Sequence, residues 1–198
     1  MQVKVLGEYG YENALRGLSY SFKDRALEPE SWWEGQYEKA QKRGAILAHR
    51  HGGHNKFLES IQVWVDIEAS RAWWSEFDTY RVGVTKQSES TMHTLMKRPP
   101  TKEDFEENTP ELMVEAFIKT WHALQENGVK DVAFYKEALP EGYLQRRLIC
   151  TNYKQLKNII EQRTGHRYKW WDVFINTLLE QVEHPEFLVQ PVSTGKQE

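Results

Sequence analysis

The chain has 198 residues, of which 39% are hydrophobic and 28% are charged. This length supports one domain with a hydrophobic core, and two full domains are not expected. Lysine and arginine number 26 against 29 aspartates and glutamates, so the formal net charge is -3 and a general nucleic-acid-binding surface is not expected. The 8 tryptophans, 9 tyrosines and 8 phenylalanines indicate a packed fold with large apolar side chains.

A single cysteine, Cys150, excludes an internal disulfide and a multi-cysteine zinc site. This composition is typical of a reducing compartment, and we expect the protein to be cytoplasmic. The first ten residues lack the apolar stretch of a signal peptide, and no run of about 18 apolar residues predicts a membrane span. We therefore expect no membrane association.

The first third of the chain predicts two helices between two strands. In chain order these are a strand at 3–6, a helix at 14–22, a helix at 31–49 and a strand at 61–67. The last of these is indicated by strict alternation of apolar and polar residues, the repeat of a half-buried strand. Ser31 is the expected cap of the longer helix, and Gly52 and Gly53 follow its end.

The remainder of the chain is predicted to be mainly helical. Its predicted elements are a helix at 70–77, a polar hydroxyl-rich stretch at 83–94, an acidic connector or short helix at 101–108, a helix from about 109 to 128, a strand at 143–150, and helices over 152–165 and 171–182. Ser70 and Asn152 are expected helix caps, and Thr109 is expected to cap a helix with Pro110 in its first turn.

Familiar catalytic motifs do not occur: the sequence contains no GxGxxG, GxxxxGK, HExxH or GxSxG. Three imidazoles lie close together at His49, His51 and His54, and neutral imidazole is a good zinc ligand. Their spacing matches no known zinc site, and a polar helix end with a glycine turn is the favoured explanation. We expect no metal.

A hydroxyl-rich run follows Arg81, and it contains Lys86, Ser88 and Ser90. Hydroxyls and positive charge together suit an anionic ligand such as a nucleotide phosphate. The alternative is a solvated loop whose hydroxyls cap turns, and composition alone favours that alternative.

Arg163 lies on the same helical face as Leu156, Ile159 and Ile160. An arginine on an apolar face requires a partner, because an unpaired buried charge is costly. That partner is either a carboxylate across a subunit interface or a ligand, and the residues alone leave both open.

An ordered set of short segments resembles the flavin-dependent thymidylate synthases of the ThyX type. The segments are Gly53-His54 with Leu58-Glu59, the strand at 61–67, Ser70-Arg71-Ala72, Thr79-Tyr80-Arg81 with the hydroxyl-rich run, Leu139-Pro140, Asn152-Tyr153-Lys154, Arg163 and Trp170. Their order and approximate spacing follow the family over about residues 2–187. No single segment is specific, and the order of the whole set carries the resemblance.

The resemblance implies an α+β fold, with a central mixed or antiparallel sheet flanked by helices. It implies one ThyX-like domain at 1–187, and we expect a flexible tail at 188–198. Members of the family form homotetramers whose active sites lie between subunits and hold FAD and dUMP. The expected partners are therefore a pyrimidine nucleotide and further copies of the chain.

The resemblance also implies site residues. Those expected to contact the nucleotide are Arg81, Ser88, Ser90, Lys136 and Arg163. Those expected to border the flavin are His54, Asn152, Lys154 and Asn158. In the family reaction, methylenetetrahydrofolate supplies a methylene group to the uracil ring, and flavin hydride derived from NADPH reduces it. No protein nucleophile is needed, because the flavin carries the chemistry.

Five positions depart from the family pattern: Thr79 and Tyr80 replace an Arg-His pair, Met92 replaces the closing arginine of the same signature, Ser60 replaces a histidine and Lys169 replaces a glutamine. These departures leave a second hypothesis open. Under it, the chain is a degenerate homologue that binds nucleotides, or has a structural role, without catalysing the reaction.

Overall fold

The computed structural model describes residues 1–23 and 29–190. Its strands are β1 (Gln2–Tyr9), β2 (Gln62–Ser70), β3 (Val84–Ser88) and β4 (Leu144–Asn152). They form a four-stranded sheet in the order β1-β2-β4-β3. The predicted α+β class with a central sheet is confirmed.

The pairing of β4 with β2 is antiparallel. At one end of β2 and β4 the Tyr153 amide donates to the Ile61 carbonyl, and at the other the Arg71 amide donates to the Tyr143 carbonyl. Sequence numbers therefore rise along one strand as they fall along the other, which defines an antiparallel register.

Helices account for most of the remaining described residues. The α-helices are α1 (Tyr11–Ser19), α2 (Pro29–Glu34), α3 (Tyr37–Leu47), α4 (Arg71–Phe77), α5 (Thr91–Thr94), α6 (Glu111–Glu126), α7 (Val132–Glu137), α8 (Tyr153–Arg163) and α9 (Trp170–Leu179). Short 3-10 turns occupy Tyr20–Phe22, Lys56–Ser60, Lys102–Asp104 and Pro185–Phe187. Within the described ranges, none of the helices has the length and apolarity needed to cross a membrane.

The chain forms two compact units. The first comprises residues 1–3, 66–81 and 86–149, and the second comprises residues 4–23, 29–65, 82–85 and 150–190. Of the predicted tail at 188–198, residues 191–198 lie outside the described residues, and Leu188 is buried.

The first unit has an aromatic core. Its buried cluster consists of Leu95, Phe105, Val114, Phe117, Trp121, Tyr135, Leu139 and Tyr143. On α4, Trp73, Trp74 and Phe77 are fully buried, with the two indoles in edge-to-face contact at 4.9 Å. Burial of rings of this size supplies much of the stability of a small unit.

In the second unit, α1 and α3 approach closely at Gly44. A β-carbon at this position would lie 2.7 Å from Cδ2 of Leu15 and 3.2 Å from Cζ of Phe187. The glycine therefore provides the space into which both side chains pack.

Tyr153 links three segments of the second unit. Its hydroxyl donates to a carboxylate oxygen of Glu8 and accepts from the His184 amide at 3.2 Å, while the other Glu8 oxygen accepts from the Glu183 amide at 2.7 Å. Burial first, and then the bond to Glu8, raise the pKa of Tyr153 well above its usual value. The phenol therefore remains a hydrogen-bond donor.

Four sequence predictions differ from the structure in detail. The helix predicted at 31–49 is divided into α2 and α3, with Gly35 between them, and α2 begins at Pro29 rather than at Ser31. The polar stretch at 83–94 contains β3 and α5, and α7 was not predicted. Thr109 does not cap α6: Pro110 occupies the cap position, and the buried Thr109 hydroxyl finds no hydrogen-bond partner within residues 1–23 and 29–190.

Candidate functional site

A cavity of about 380 Å³ in the first unit concentrates positive charge, and we call it the arginine cavity. Its lining residues are Arg71, Ser75, Asp78, Thr91, Lys136, Glu141, Gln145 and Arg147. Three cations thus face two carboxylates. A cavity of this size and charge suits a small anionic group.

Helix ends and one strand place these residues. Arg71 and Thr91 are the first residues of α4 and α5, and Lys136 lies in the last turn of α7. Gln145 and Arg147 are two residues apart on β4, so their side chains leave the same face of the strand. The Ser70 hydroxyl caps α4 by accepting from the Trp73 amide at 3.3 Å.

Arg147 is held rigidly on one side of the cavity. Its Nη1 donates to both carboxylate oxygens of Asp78 at 3.0 Å, and its Nε and Nη2 donate to Oε1 of Gln145 at 3.2 and 2.9 Å. The guanidinium carbon lies 4.5 Å from the centre of the Trp74 indole. Ion pairing and stacking together fix its plane.

Asp78 binds a second cation, since Nζ of Lys86 lies 3.1 Å from its Oδ1. Burial alone would raise the pKa of Asp78, but hydrogen bonds from Arg147 and Lys86 outweigh burial and hold it below its usual value. The carboxylate is therefore ionised at neutral pH and neutralises part of the positive charge.

Arg71 retains an unused donor. Its Nε is buried and has no hydrogen-bond partner among the described residues, and its Nη2 lies 3.6 Å from a carboxylate oxygen of the exposed Glu141. A buried N–H group without an acceptor is costly, and native structures rarely contain one. An anionic oxygen in the arginine cavity would supply the acceptor.

The predicted nucleotide contacts are only partly brought together. Lys136 lines the arginine cavity, whereas Arg81, Ser88 and Ser90 are exposed and do not line it. Arg163 lies in the second unit, where its Nη1 is 3.1 Å from Nε2 of His166 and its guanidinium carbon is 4.5 Å from the Trp171 ring centre.

A larger cavity, of about 740 Å³, lies in the second unit, and we call it the glycine cavity. Its lining includes Asn13, Gly17, Leu18, Phe22, Leu47, Gly52, Gly53, His54, Lys56, Phe57, Glu59 and Ser60. A β-carbon at Gly17, Gly52 or Gly53 would meet no atom within 4 Å, so these glycines border open space. Its volume, and its wall of apolar and polar side chains, fit part of a flavin nucleotide.

Of the four predicted flavin contacts, His54 lines the glycine cavity. The other three lie on or beside α8, and each makes a hydrogen bond within the second unit. Asn152 caps α8 by accepting from the Gln155 amide at 2.9 Å, Asn158 accepts from Gln162 at 3.0 Å, and Lys154 donates to Oδ1 of the buried Asn55.

Sequence reasoning did not select Arg71 or Arg147 as site residues. Arg71 stands in the Ser-Arg-Ala segment, which contributes to the resemblance, but the resemblance gave this arginine no role at the site. Arg147 and Gln145 form a polar pair at a two-residue interval on a predicted strand, and that interval indicates one shared face. Neither pattern shows that the two arginines line one cavity.

Comparison with known proteins identifies the family. The family model described as Thy1, thymidylate synthase complementing protein, matches residues 12–183. The chain belongs to the Thy1 family. No curated protein shows significant sequence similarity to it.

Two solved structures share the Thy1 fold seen here. One is the crystal structure of thymidylate synthase X from Helicobacter pylori with FAD and dUMP, at a TM-score of 0.80 and 16% identity. The other is a flavin-dependent thymidylate synthase ThyX structure from the same organism, also with FAD and dUMP, at 0.79 and 17%. Each match covers 96% of this chain and 98% of the other.

Proposed function

We propose that this Thy1 chain is a flavin-dependent, thymidylate-synthase-like enzyme that methylates a dUMP-like pyrimidine nucleotide with the help of FAD. The observation that carries the proposal is the buried, unpartnered Nε of Arg71 in a cation-rich cavity of a Thy1 protein. The Helicobacter pylori proteins of the same fold were crystallised with FAD and dUMP.

The arginine cavity binds the nucleotide phosphate in this proposal. Arg71 and Lys136 supply positive charge, and Thr91 supplies a hydroxyl at the start of α5. Arg147 forms a fixed wall, because Asp78 and Gln145 already accept from its donors. Charge-assisted hydrogen bonds of this kind orient a phosphate as well as bind it.

The glycine cavity holds part of the flavin. His54 and Lys56 supply polar contacts, and Phe57 supplies an apolar wall. When bound, the flavin supplies the hydride that reduces the transferred one-carbon group. NADPH and methylenetetrahydrofolate are the co-substrates of this proposal.

Further copies of the chain complete the site. We assign Arg163 to nucleotide binding across a subunit interface in a homotetramer, and Asn152, Lys154 and Asn158 to the border of the flavin. We also place the enzyme in the cytoplasm. The resemblance of the ordered segments to the ThyX type supports the site and homotetramer assignments, and the single cysteine supports a reducing compartment.

Two measurements on the purified protein test the proposal. Flavin absorption, as purified or after FAD is added, tests cofactor binding, and conversion of dUMP to dTMP with NADPH and methylenetetrahydrofolate tests the reaction. Nucleotide binding without flavin absorption would instead identify a degenerate binding protein. Absence of both flavin absorption and conversion of dUMP to dTMP would overturn the proposal.

Variants test the phosphate assignment. Arg71→Met and Lys136→Met are each expected to weaken dUMP binding by at least about tenfold while leaving FAD binding unchanged. Lys130→Met, on an exposed lysine outside the arginine cavity, is the matched control. Unchanged dUMP affinity in both cavity variants would show that the phosphate does not bind in this cavity.

A further inference from the structure

A second cavity in the first unit, of about 390 Å³, has the opposite charge, and we call it the acidic cavity. The residues that define it are Glu68, Glu89, Thr94, Arg98, Asp104 and Tyr143. Glu103 and Lys97 also line it, so the cavity has four carboxylates and two cations in all. Arg98 is already committed to Asp104, to which it donates two hydrogen bonds.

Two carboxylates of this cavity, those of Glu68 and Glu89, form no ion pair among the described residues. The Glu89 carboxylate has one hydrogen bond, from the backbone of Arg146, whose guanidinium is paired with Asp66. Glu68 lies near the end of β2, and Glu89 directly follows β3. Since β2 and β3 are the two neighbours of β4, the sheet order brings these acids to either side of one strand. Burial first, and then the negative charge of Glu68, contribute to a raised pKa for Glu89.

Tyr143 provides an independent observation. Its side chain is 9% exposed, and its ring is fixed by edge-to-face contacts with Phe105 at 5.6 Å and Phe117 at 6.3 Å. Its hydroxyl has no hydrogen-bond partner among the described residues. Burial, together with the negative charges of Asp104 and Glu89, raises the pKa of Tyr143 to about 12, so the phenol is neutral.

We propose that the acidic cavity binds a small organic cation with several N–H donors, such as a primary ammonium or guanidinium group. Two half-buried carboxylates that repel each other are stabilised by a positive charge between them, and each can accept N–H donors. The Tyr143 hydroxyl then hydrogen-bonds to the same group or to its polar substituent. This ligand lies outside the nucleotide and flavin assigned above.

An organic cation fits this cavity better than a metal ion. Within the residues that the structure describes, no group of three or more His, Cys, Asp and Glu side chains is arranged to hold a metal. The volume also exceeds that of a single ion and is at the lower end of small-molecule sites.

Calorimetric titration of the full-length protein with agmatine, which carries both an ammonium and a guanidinium group, tests the proposal. Tetramethylammonium provides the charge without N–H donors, and magnesium chloride provides a divalent metal alone. Agmatine is expected to bind, and tetramethylammonium is expected to bind at least about tenfold more weakly. No heat with agmatine, or equal affinity for the two organic cations, would overturn the proposal.

Conservative variants locate the binding. Glu68→Gln and Glu89→Gln are each expected to weaken agmatine binding by at least about tenfold, and Tyr143→Phe by severalfold. Glu137→Gln, on an exposed glutamate of α7 outside the cavity, is the control. Unchanged agmatine affinity in Glu68→Gln and Glu89→Gln would contradict the organic-cation assignment. So would magnesium binding that is tighter than agmatine binding and is abolished in these two variants.

Thermal unfolding without ligand separates binding from folding. Because Glu68 and Glu89 repel each other, their glutamine variants are expected to unfold at or above the wild-type temperature. A weaker agmatine affinity in a fully folded variant then reports the loss of a ligand contact.

Discussion

Both carboxylate oxygens of Asp78 lie 3.0 Å from the same terminal nitrogen of Arg147, whose guanidinium stacks on Trp74. The same carboxylate lies 3.1 Å from Nζ of Lys86. One acid thus holds two cations in place. It also limits the positive charge that the arginine cavity presents, which leaves Arg71 and Lys136 as the cations available to an anion.

Replacing Asp78 by asparagine is expected to lower the free energy of unfolding by about 1 kcal/mol. Charged hydrogen bonds contribute more than this when buried, but the Asp78 side chain is 43% exposed, so solvent screening reduces the effect. Urea unfolding of Asp78→Asn, Arg147→Met and the double variant measures the coupling. Strictly additive losses would show that the pair contributes no stability.

The Asp78 pair is also expected to depend on pH. The pKa of Asp78 is lower in the folded chain than the value of about 4 expected after unfolding. The contribution of Asp78 to folding stability is therefore fully present above the pKa of the unfolded chain. It is lost as the pH falls through the folded pKa. The stability difference between the wild type and Asp78→Asn should therefore be constant between pH 5 and 7, on the order of the value above, should begin to decrease as the pH falls below about 4, and should close below the folded pKa. A difference that does not decrease between pH 5 and pH 2 would contradict this account.

Gly142→Ala is expected to destabilise the first unit by at least about 2 kcal/mol. A β-carbon at this position would lie 2.0 Å from Oγ1 and 2.6 Å from Cγ2 of Thr109. The new methyl group therefore fits only if Thr109 or the backbone moves. Thermal unfolding measures the loss, and Thr109→Gly in the same chain should recover part of it.

The control for that experiment is Gly17→Ala in α1. A β-carbon there meets no atom within 4 Å, and alanine favours a helix over glycine by up to about 1 kcal/mol. This variant should be neutral or stabilising. Equal loss in the two alanine variants would mean that the contact with Thr109 is not the cause.

Tyr153→Phe is expected to lower the free energy of unfolding by about 1 to 3 kcal/mol, because it leaves the Glu8 carboxylate without one donor and the His184 amide without its acceptor. Tyr20→Phe serves as the control, since the Tyr20 side chain is 51% exposed. Chemical unfolding of both variants provides the comparison. A loss of equal size at Tyr20 would exclude the hydrogen-bond network as its source.

The strongest sequence patterns predicted their elements well. In β2, Val63, Val65 and Ile67 are fully buried, as the two-residue alternation indicates, and the caps at Ser70 and Asn152 form as expected. Elements without an apolar repeat were harder to predict. The exposed, polar β3 has no such repeat, and its strand conformation depends on pairing with β4.

The candidate site was predictable only in part, for a physical reason. Lys136 and His54 were selected through resemblance, and each lines a cavity. The arginine cavity, however, combines Arg71 with Arg147, which are 76 positions apart in the sequence. Periodicity reports which face a residue occupies, but it does not report which distant residue lies beside it.

The position of Trp74 makes the arginine cavity optically observable. Its indole nitrogen donates to the Gln145 carbonyl at 2.8 Å, its ring contacts Trp73 edge to face, and the Arg147 guanidinium covers its surface. Two coupled indoles held in one asymmetric arrangement give rise to near-ultraviolet circular dichroism. Trp74 is thus a built-in spectroscopic probe, through which an anion that binds beside Arg147 can be followed without any label.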